Sequence, residues 1–182
     1  MRKRRVLVPV GIVAVAVSAW LAFGYFGVQY LFIDDKVDEA VPAFATATTA
    51  TGEAGAIDNE RTASSIAEVA PYRGAFVDRS HPTTGTAVVL QGAGSGERVL
   101  RFEDFKTDNG PDLNVYLSPA PADAAASAFD DDFIDLGDLK GNVGNQNYDI
   151  PRDVDLDKYS TVVVWCVRFR VAFGTAALTT TA

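Results

Sequence analysis

The sequence predicts an all-β fold, a small antiparallel β-sandwich or barrel, preceded by one transmembrane helix and a flexible linker. Three observations carry this prediction. Residues 6–33 contain no charged side chain, residues 34–70 are poor in large apolar side chains, and the rest alternates short β-prone runs with turn signals. We therefore divide the chain into a tail at 1–5, an anchor at 6–33, a linker at 34–70 and a β domain at 71–182.

The apolar run at residues 6–33 is long enough to cross a bilayer, because its helix would span roughly 40 Å against a hydrocarbon core of about 30 Å. Basic residues precede the run, and acidic residues follow it from Asp34 onwards. Since basic flanks stay on the cytoplasmic side, residues 1–5 are predicted to be cytoplasmic and the domain to lie outside the cell membrane. The alternative is a signal peptide cleaved near residues 17–19. Apolar sequence continues well beyond that point, which favours an uncleaved single-pass anchor in membrane lipid.

Residues 34–70 have the composition of a flexible spacer, with Ala, Thr, Gly and scattered acidic residues. Such a segment has too few large apolar side chains to offset the entropy lost on ordering. A flexible chain of this length has an end-to-end distance of roughly 30–35 Å. We therefore expect the domain to stand clear of the lipid headgroups.

The chain after the apolar run is strongly acidic. All four charges before residue 34 are basic, which leaves 12 Lys and Arg against 24 Asp and Glu, a net charge of −12, for residues 34–182. Nucleic-acid binding requires a basic surface. The composition therefore excludes nucleic acid as a partner.

Cys166 is the only cysteine, so an intramolecular disulfide is impossible. The sequence contains no Cys-x-x-Cys or Cys-x-x-Cys-His motif and no zinc-type ligand cluster. Structural zinc and covalently attached c-type haem are thereby excluded, and no metal site is predicted. In an exported protein a single thiol is an inert buried residue, an intermolecular partner or a reactive group.

The β-prone runs recur at short spacing, which favours antiparallel sheets over βαβ units. The Gly-rich stretch 92–97 predicts a hairpin loop, and residues 109–111 (Asn-Gly-Pro) predict a second turn. The Ala-rich stretch 119–129 predicts one or two helical turns at the edge of the sheet. The β-prone runs themselves are residues 75–78, 86–91, 98–102, 112–117, 148–150 and 161–173.

The most strongly β-prone run, residues 161–173, carries Cys166 and is interpreted as a strand or a strand pair. Alternation places Cys166 and Arg168 on one face and a continuous apolar set on the other, which comprises Trp165, Val167, Phe169, Val171 and Phe173. We therefore expect the Trp165 face to be buried in the core. The Cys166 thiol is expected to be partly enclosed, beside a cation that favours the thiolate.

Cys166 is accordingly the candidate redox thiol and a candidate cofactor ligand. A thiolate at such a place acts as a nucleophile, as a redox group or as a ligand for iron or copper. The alternative is a small apolar core residue, because free cysteine is among the most buried residue types. His81, the only histidine, is the second candidate cofactor ligand. It lies in a turn with Pro82, where a histidine also simply faces solvent or caps the backbone.

Asp153, Asp155 and Asp157 have the first three spacings of a calcium-binding loop. Lys158 replaces the glycine that such a loop requires, and Val164 replaces its last carboxylate. The acidic residues therefore predict a solvated loop rather than a calcium site.

Residues 72–178 contain several distinctive motifs, which are Gly74-Ala-Phe, His81-Pro-Thr-Thr-Gly-Thr-Ala, Leu100-Arg-Phe-Glu-Asp-Phe, Asn109-Gly-Pro-Asp-Leu-Asn-Val-Tyr-Leu-Ser and Val164-Trp-Cys. Taken together, these motifs resemble the DM-thirteen domain, a family associated with electron transfer. This chain is similar to a membrane-anchored, bacterial-type member. The resemblance implies an extracytoplasmic β domain in which Cys166 acts as a bare thiol or holds a group such as haem. Animal members accompany DOMON and cytochrome b-type modules, which are not found in this sequence, so a separate redox partner protein is expected.

Two classes of function follow from the sequence. The first is a membrane-anchored domain with a redox or electron-transfer role centred on Cys166. The second is a non-catalytic cell-surface binding or adhesion module in which Cys166 is structural. An accessible thiol of low pKa, or a chromophore, would favour the first class, and a buried, unreactive thiol would favour the second. No substrate or catalytic cycle follows from either.

Overall fold

The computed structural model describes residues 13, 15–21, 34–44, 69–93 and 95–181. Ten strands in these residues form two five-stranded sheets, and all paired strands are antiparallel. The all-β prediction is confirmed, and the two sheets form a sandwich. The strands are β1 (Val69–Ala75), β2 (Val77–Asp78), β3 (Thr83–Gln91), β4 (Arg98–Thr107), β5 (Leu113–Ser118), β6 (Ile134–Asp138), β7 (Val143–Ile150), β8 (Thr161–Cys166), β9 (Val171–Ala177) and β10 (Thr179–Thr180).

The first sheet has the strand order β10-β1-β3-β4-β7, and the second has the order β2-β9-β8-β5-β6. The hairpin predicted at residues 92–97 joins β3 to β4, where the Gly92 N–H donates to the Glu97 carbonyl at 3.1 Å. The turn predicted at 109–111 lies between β4 and β5, so the chain crosses there from one sheet to the other. Short connections of this kind suit an antiparallel sandwich.

The main core lies between the two sheets. Its aromatic centre is Phe76, which meets the ring of Phe102 edge-on at 4.8 Å and that of Phe105 at 5.0 Å. Edge-to-face pairs of this kind stabilise a core beyond the area that they bury. The aliphatic residues of this core come from both sheets and include Ala87, Val89, Leu100, Val115, Leu117, Val162 and Val164.

The outer face of the second sheet is covered by the chain between β5 and β6. This connection contains one 3-10 helix, Ala126–Phe129, and Phe129 is fully buried. It packs over Trp165 and Tyr116 in a second, smaller apolar cluster. The helical turn predicted at 119–129 therefore exists, but it lies on the face of a sheet rather than at its edge.

Residues 34–44, called the strap below, were predicted to belong to the flexible linker, and the structure corrects this assignment. The strap runs parallel to β7, with the Val37 N–H donating to the Val143 carbonyl and the Glu39 N–H to the Asn145 carbonyl. Phe44 at its end is buried against the outer face of the first sheet. At least this part of the predicted linker is packed on the domain.

The predicted anchor at residues 6–33 lies mostly outside the described residues, as do residues 1–5 and 45–68 of the predicted tail and linker. Residues 13 and 15–20 are helical. Among the residues that the structure describes, no helix has both the length and the apolar character that a membrane crossing requires.

Candidate functional site around Cys166

Cys166 is the last residue of β8, and residues 167–170 form the turn that leads into β9. It pairs with Leu113 on β5 and with Val171 on β9, in the interior of the second sheet. Its exposed fraction is 0%, and it belongs to the main core. The expectation of a partly enclosed thiol is therefore wrong.

The predicted assignment of faces holds within β8, where Trp165 and Cys166 lie on opposite faces, but it fails beyond that strand. Trp165 is 1% exposed and so buried as expected, but it points to the second cluster on the outer face. Phe173 lies in the main core with Cys166. Alternation through residues 161–173 assumed one uninterrupted strand, and the turn at 167–170 breaks that alternation.

The electrostatic surroundings of Cys166 favour the neutral thiol. Burial is the largest cause and raises its pKa above the usual 9.0. The backbone N–H groups of Phe169 and Arg168 bond to the sulfur and oppose this rise, and the Arg168 cation opposes it further. These effects do not outweigh burial, so the expected thiolate beside a cation is not formed.

His81 lies beside the main core rather than at the thiol. Its ring stacks on Phe173, with the ring centroids 3.7 Å apart and the planes at 25°. Nδ1 lies 3.0 Å from a carboxylate oxygen of Asp108. A side-chain bond holds the turn in place, because the Thr83 hydroxyl donates to the His81 carbonyl at 3.2 Å. These contacts anchor the turn and leave His81 partly exposed.

The structure does not join Cys166 and His81 into one site. Within the described residues, no group of three or more Cys, His, Asp and Glu side chains could hold a metal ion. Haem, which the resemblance implied, does not fit at Cys166, because the sulfur is enclosed by core side chains. A ligand of that size needs a cavity of several hundred Å³. Surface cavities of about 220–410 Å³ occur at four places in the domain, and Cys166 lines none of these four.

The turn at 167–170, called the tip below, is the exposed part of this region. Val167 is 41% exposed and Phe169 is 56% exposed, although alternation had placed both on the buried face. Arg170 has φ of +53° and forms an ion pair with Asp130. Nothing in the sequence indicated this exposure, because apolar residues in a β-prone run are normally interpreted as buried.

The acidic loop at residues 153–157 is a local turn. The Asp155 carboxylate accepts the backbone N–H of Asp157 at 3.0 Å and that of Lys158 at 3.3 Å. A carboxylate that bonds to its own backbone two residues on is a common turn-forming device. The geometry agrees with the predicted solvated loop.

The sequence model of the family described as Electron transfer DM13 matches residues 75–178, which is more than half of the chain. The chain belongs to this family. The DM13 match covers β2 to β9 with Cys166 and His81, and it leaves the strap outside. The family description associates the domain with electron transfer, which confirms the resemblance found in the sequence. Neither the curated proteins nor the solved structures give a match.

Proposed function

We propose that this chain is a membrane-anchored, extracytoplasmic DM13 domain that serves electron transfer by binding a separate redox protein, with Cys166 as a core residue. The family supplies the association with electron transfer. The burial of Cys166 supports the other central point, that the electron carrier lies on a separate protein. A thiol with no exposed surface and a raised pKa is a poor nucleophile and a poor ligand, so the electron carrier is expected on the partner.

The anchoring part of the proposal is supported by the sequence before the strap. Residues 6–33 carry no charge, and four basic residues precede them. In the helical part that the structure describes, Val15, Val17 and Trp20 are exposed rather than packed on the domain. Apolar side chains exposed together on a helix are suited to lipid.

The partner's chemistry follows from the charge of the outer domain. With a net charge of −12 over residues 34–182, the domain attracts a basic protein surface and repels an acidic one. Such attraction accelerates encounter and weakens as salt screens it. We therefore expect a redox partner with a basic docking surface, bound more weakly at high ionic strength.

A second candidate function keeps Cys166 as the redox centre. The observation that favours it is the pair of N–H groups, from Arg168 and Phe169, bonded to the sulfur. Hydrogen bonds to sulfur stabilise the thiolate form and tune sulfur redox centres. In the described conformation burial outweighs them, so this role would require the tip to open.

The two candidates are distinguished by the chemistry of the purified full chain. Alkylation of Cys166 by iodoacetamide is followed by mass spectrometry from pH 6 to pH 10, in the folded and the denatured chain. An absorption spectrum is recorded in parallel. We expect no chromophore and no alkylation in the folded chain, with full reaction after denaturation.

The opposite result supports the redox thiol. Reaction of the folded chain at a lower pH than the denatured chain, or a Soret band that disappears in Cys166→Ser, would overturn the structural assignment of Cys166. A functional readout completes the comparison, namely the rate at which membranes containing the chain reduce a membrane-impermeant oxidant. Under our proposal Cys166→Ala retains the wild-type rate of this reduction, and under the second candidate it abolishes the contribution of this chain.

A further inference from the structure

The strap is held to the first sheet by backbone and side-chain bonds along most of its length. Besides its two N–H bonds to β7, its Asp35 carbonyl accepts the Val143 N–H at 3.3 Å. Glu39 accepts the Asn147 N–H at 2.7 Å and forms an ion pair with Lys140 at 2.8 Å. An extended segment that adds to a sheet edge in this way is a recurrent mode of peptide binding.

The domain is also shaped to receive the strap. A β-carbon on Gly141 would stand 2.5 Å from the Asp35 carbonyl oxygen, and one on Gly92 would stand 2.7 Å from the Phe44 ring. Phe44 completes a small apolar cluster on the outer face of the first sheet, with Val88, Leu90 and Val99. The strap is therefore an integral part of the domain, although it lies outside the DM13 match.

The strap begins at the end of the sandwich that carries the tip. Asp35 and Asp112 line the same cavity of about 220 Å³, and the Asp112 carbonyl accepts the Val167 N–H at 2.9 Å. Asn142 joins the strap to this end, because its amide donates to Asp34 and to the Thr107 carbonyl, both at 3.0 Å. The first residue of the strap and the tip therefore lie at one end of the domain.

The same end follows directly on the apolar run of the sequence. Residues 6–33 end one position before Asp34, so no spacer separates that run from the docked strap. If residues 6–33 lie in the membrane, the end that carries the tip faces the bilayer. The tip presents Val167 and Phe169 alternating with two arginines, an arrangement suited to a lipid–water interface, where apolar side chains enter and basic ones stay at the surface.

We propose that the strap fixes the sandwich against the membrane that holds residues 6–33, with Val167 and Phe169 of the tip resting in the lipid interface. This inference rests on the proposed anchoring. It reverses the expected role of residues 34–44, which hold the domain at the headgroups rather than clear of them. The lipid class follows from the balance of charge at this end. Asp35, Asp112 and Asp138 line its cavity and outnumber the two arginines of the tip, of which Arg170 is already paired with Asp130, so zwitterionic lipid fits better than anionic lipid.

The test uses the full chain reconstituted into phosphatidylcholine vesicles. A nitroxide is attached at Phe169→Cys, or at Ala93→Cys as a matched site. Ala93 is exposed in the β3–β4 loop, at the far end of β4, which as a ten-residue strand is roughly 33 Å long. Collisions with oxygen, which concentrates in lipid, are compared with collisions with a water-soluble nickel chelate. We expect the label at 169 to be shielded from nickel and exposed to oxygen, and the label at 93 to show the reverse.

Strap variants test the cause of this orientation. Val37→Pro combined with Glu39→Pro removes the two N–H groups that donate to β7. Lys36→Pro is the matched control, because the Lys36 N–H points away from β7 when Val37 N–H points towards it. We expect the double variant to make the label at 169 accessible to nickel and to speed amide exchange at Val143 and Asn147. The control should do neither.

The outcomes separate this inference from the anchoring on which it rests. If the chain does not sediment with the vesicles, the anchoring fails and the inference fails with it. If the chain sediments but nickel reaches 169 as readily as 93, the anchoring stands and the orientation is overturned. If the label at 169 stays shielded in the double proline variant although amide exchange shows that the strap has left, the strap does not set the orientation.

Discussion

A β-carbon on Gly144 would stand 1.9 Å from the carbonyl oxygen of Val37. Gly144 also has φ of +110°, in the left-handed region that favours glycine. A close approach and an unusual backbone conformation therefore fall on the same residue of β7. This coincidence indicates that β7 is shaped around the strap.

Gly141→Ala tests the fit of the strap without backbone strain, because the φ of Gly141 lies outside the left-handed region. Its new β-carbon would collide with the Asp35 carbonyl, so we expect a loss of about 1–2 kcal/mol in the free energy of unfolding, measured in urea. In a Val37→Pro background the strap is already loosened, and the same substitution should cost much less. An equal cost in the two backgrounds would contradict a clash with the strap.

The fold class and the central strands could be predicted from the sequence because the side chains of these strands are themselves apolar and β-prone. In β3, residues 87–90 are buried, and their Ala, Val and Leu side chains are readable as β-prone core. The strap could not be predicted in this way. Its own composition is that of a spacer. The residues that receive it, Gly141, Gly144 and Asn147, lie about 100 positions further along the sequence.

Strand β7 was also only partly predictable from the sequence, since only its end at 148–150 was predicted. Gln146 is fully buried, a position at which a glutamine is not expected from composition. Its amide is hydrogen-bonded to the Tyr148 hydroxyl at 2.6 Å and to the Gly141 carbonyl at 2.9 Å.

The surroundings of Cys166 were mispredicted for a different reason. The run at 161–173 is continuously β-prone in sequence, but one turn, at 167–170, reverses the chain inside it.

Trp165→Ala should be among the costliest single changes in the domain. The indole is enclosed by the second cluster, with Tyr116 and Phe129, so truncation leaves a large cavity. We expect a loss of about 3–5 kcal/mol in urea unfolding, even though Trp165 does not face the main core. Val167→Ala, two residues along but exposed, should change stability by no more than about 0.5 kcal/mol. A loss below about 1 kcal/mol for Trp165→Ala would show that the covering segment closes over the gap.

The burial of Cys166 makes stability depend on alkaline pH. Its pKa is raised in the folded state, chiefly by burial, so above about pH 9 the unfolded chain loses the thiol proton while the folded chain keeps it. The unfolded state then binds fewer protons, and the free energy of unfolding falls as pH rises. Cys166→Ala lacks this loss, so the stability difference between the two chains should shrink from pH 8 to pH 10. Burial also raises the pKa of Tyr116 to about 12, but this residue is present in both chains, so its titration does not contribute to the difference between them. A difference that stays constant over this range would contradict the buried neutral thiol.

Arg101 of β4 links the strap to the first sheet through a buried side chain. Its guanidinium donates to the Glu39 carbonyl at 3.0 Å, to the Ala40 carbonyl at 3.3 Å and to the Asn147 side chain at 2.9 Å, and its side chain is only 7% exposed. Arg101→Ala should therefore lower the free energy of unfolding by about 2–3 kcal/mol and release the strap to amide exchange. Arg73→Ala, which removes a half-exposed ion pair from the same sheet, should cost less than about 1 kcal/mol. Equal losses for the two arginines would show that the strap bonds contribute little.

Glu39 makes the docking of the strap depend on acidic pH. Partial burial opposes its ionisation, but the bonds from Lys140 and from the Asn147 N–H outweigh burial and lower the pKa of Glu39 below 4.5. A carboxylate whose pKa is lowered on docking contributes stability that is present above pH 4.5 and is lost as pH falls through the lowered value. We therefore expect the strap to loosen below about pH 4.5, seen as an increase in the opening constant of the Asn147 amide after correction for the intrinsic exchange rate. Glu39→Gln keeps the shape of the side chain without the charge, so its strap should be weaker at pH 7 and less sensitive to acid. An acid response of equal size in Glu39→Gln would assign the effect to other carboxylates of the strap.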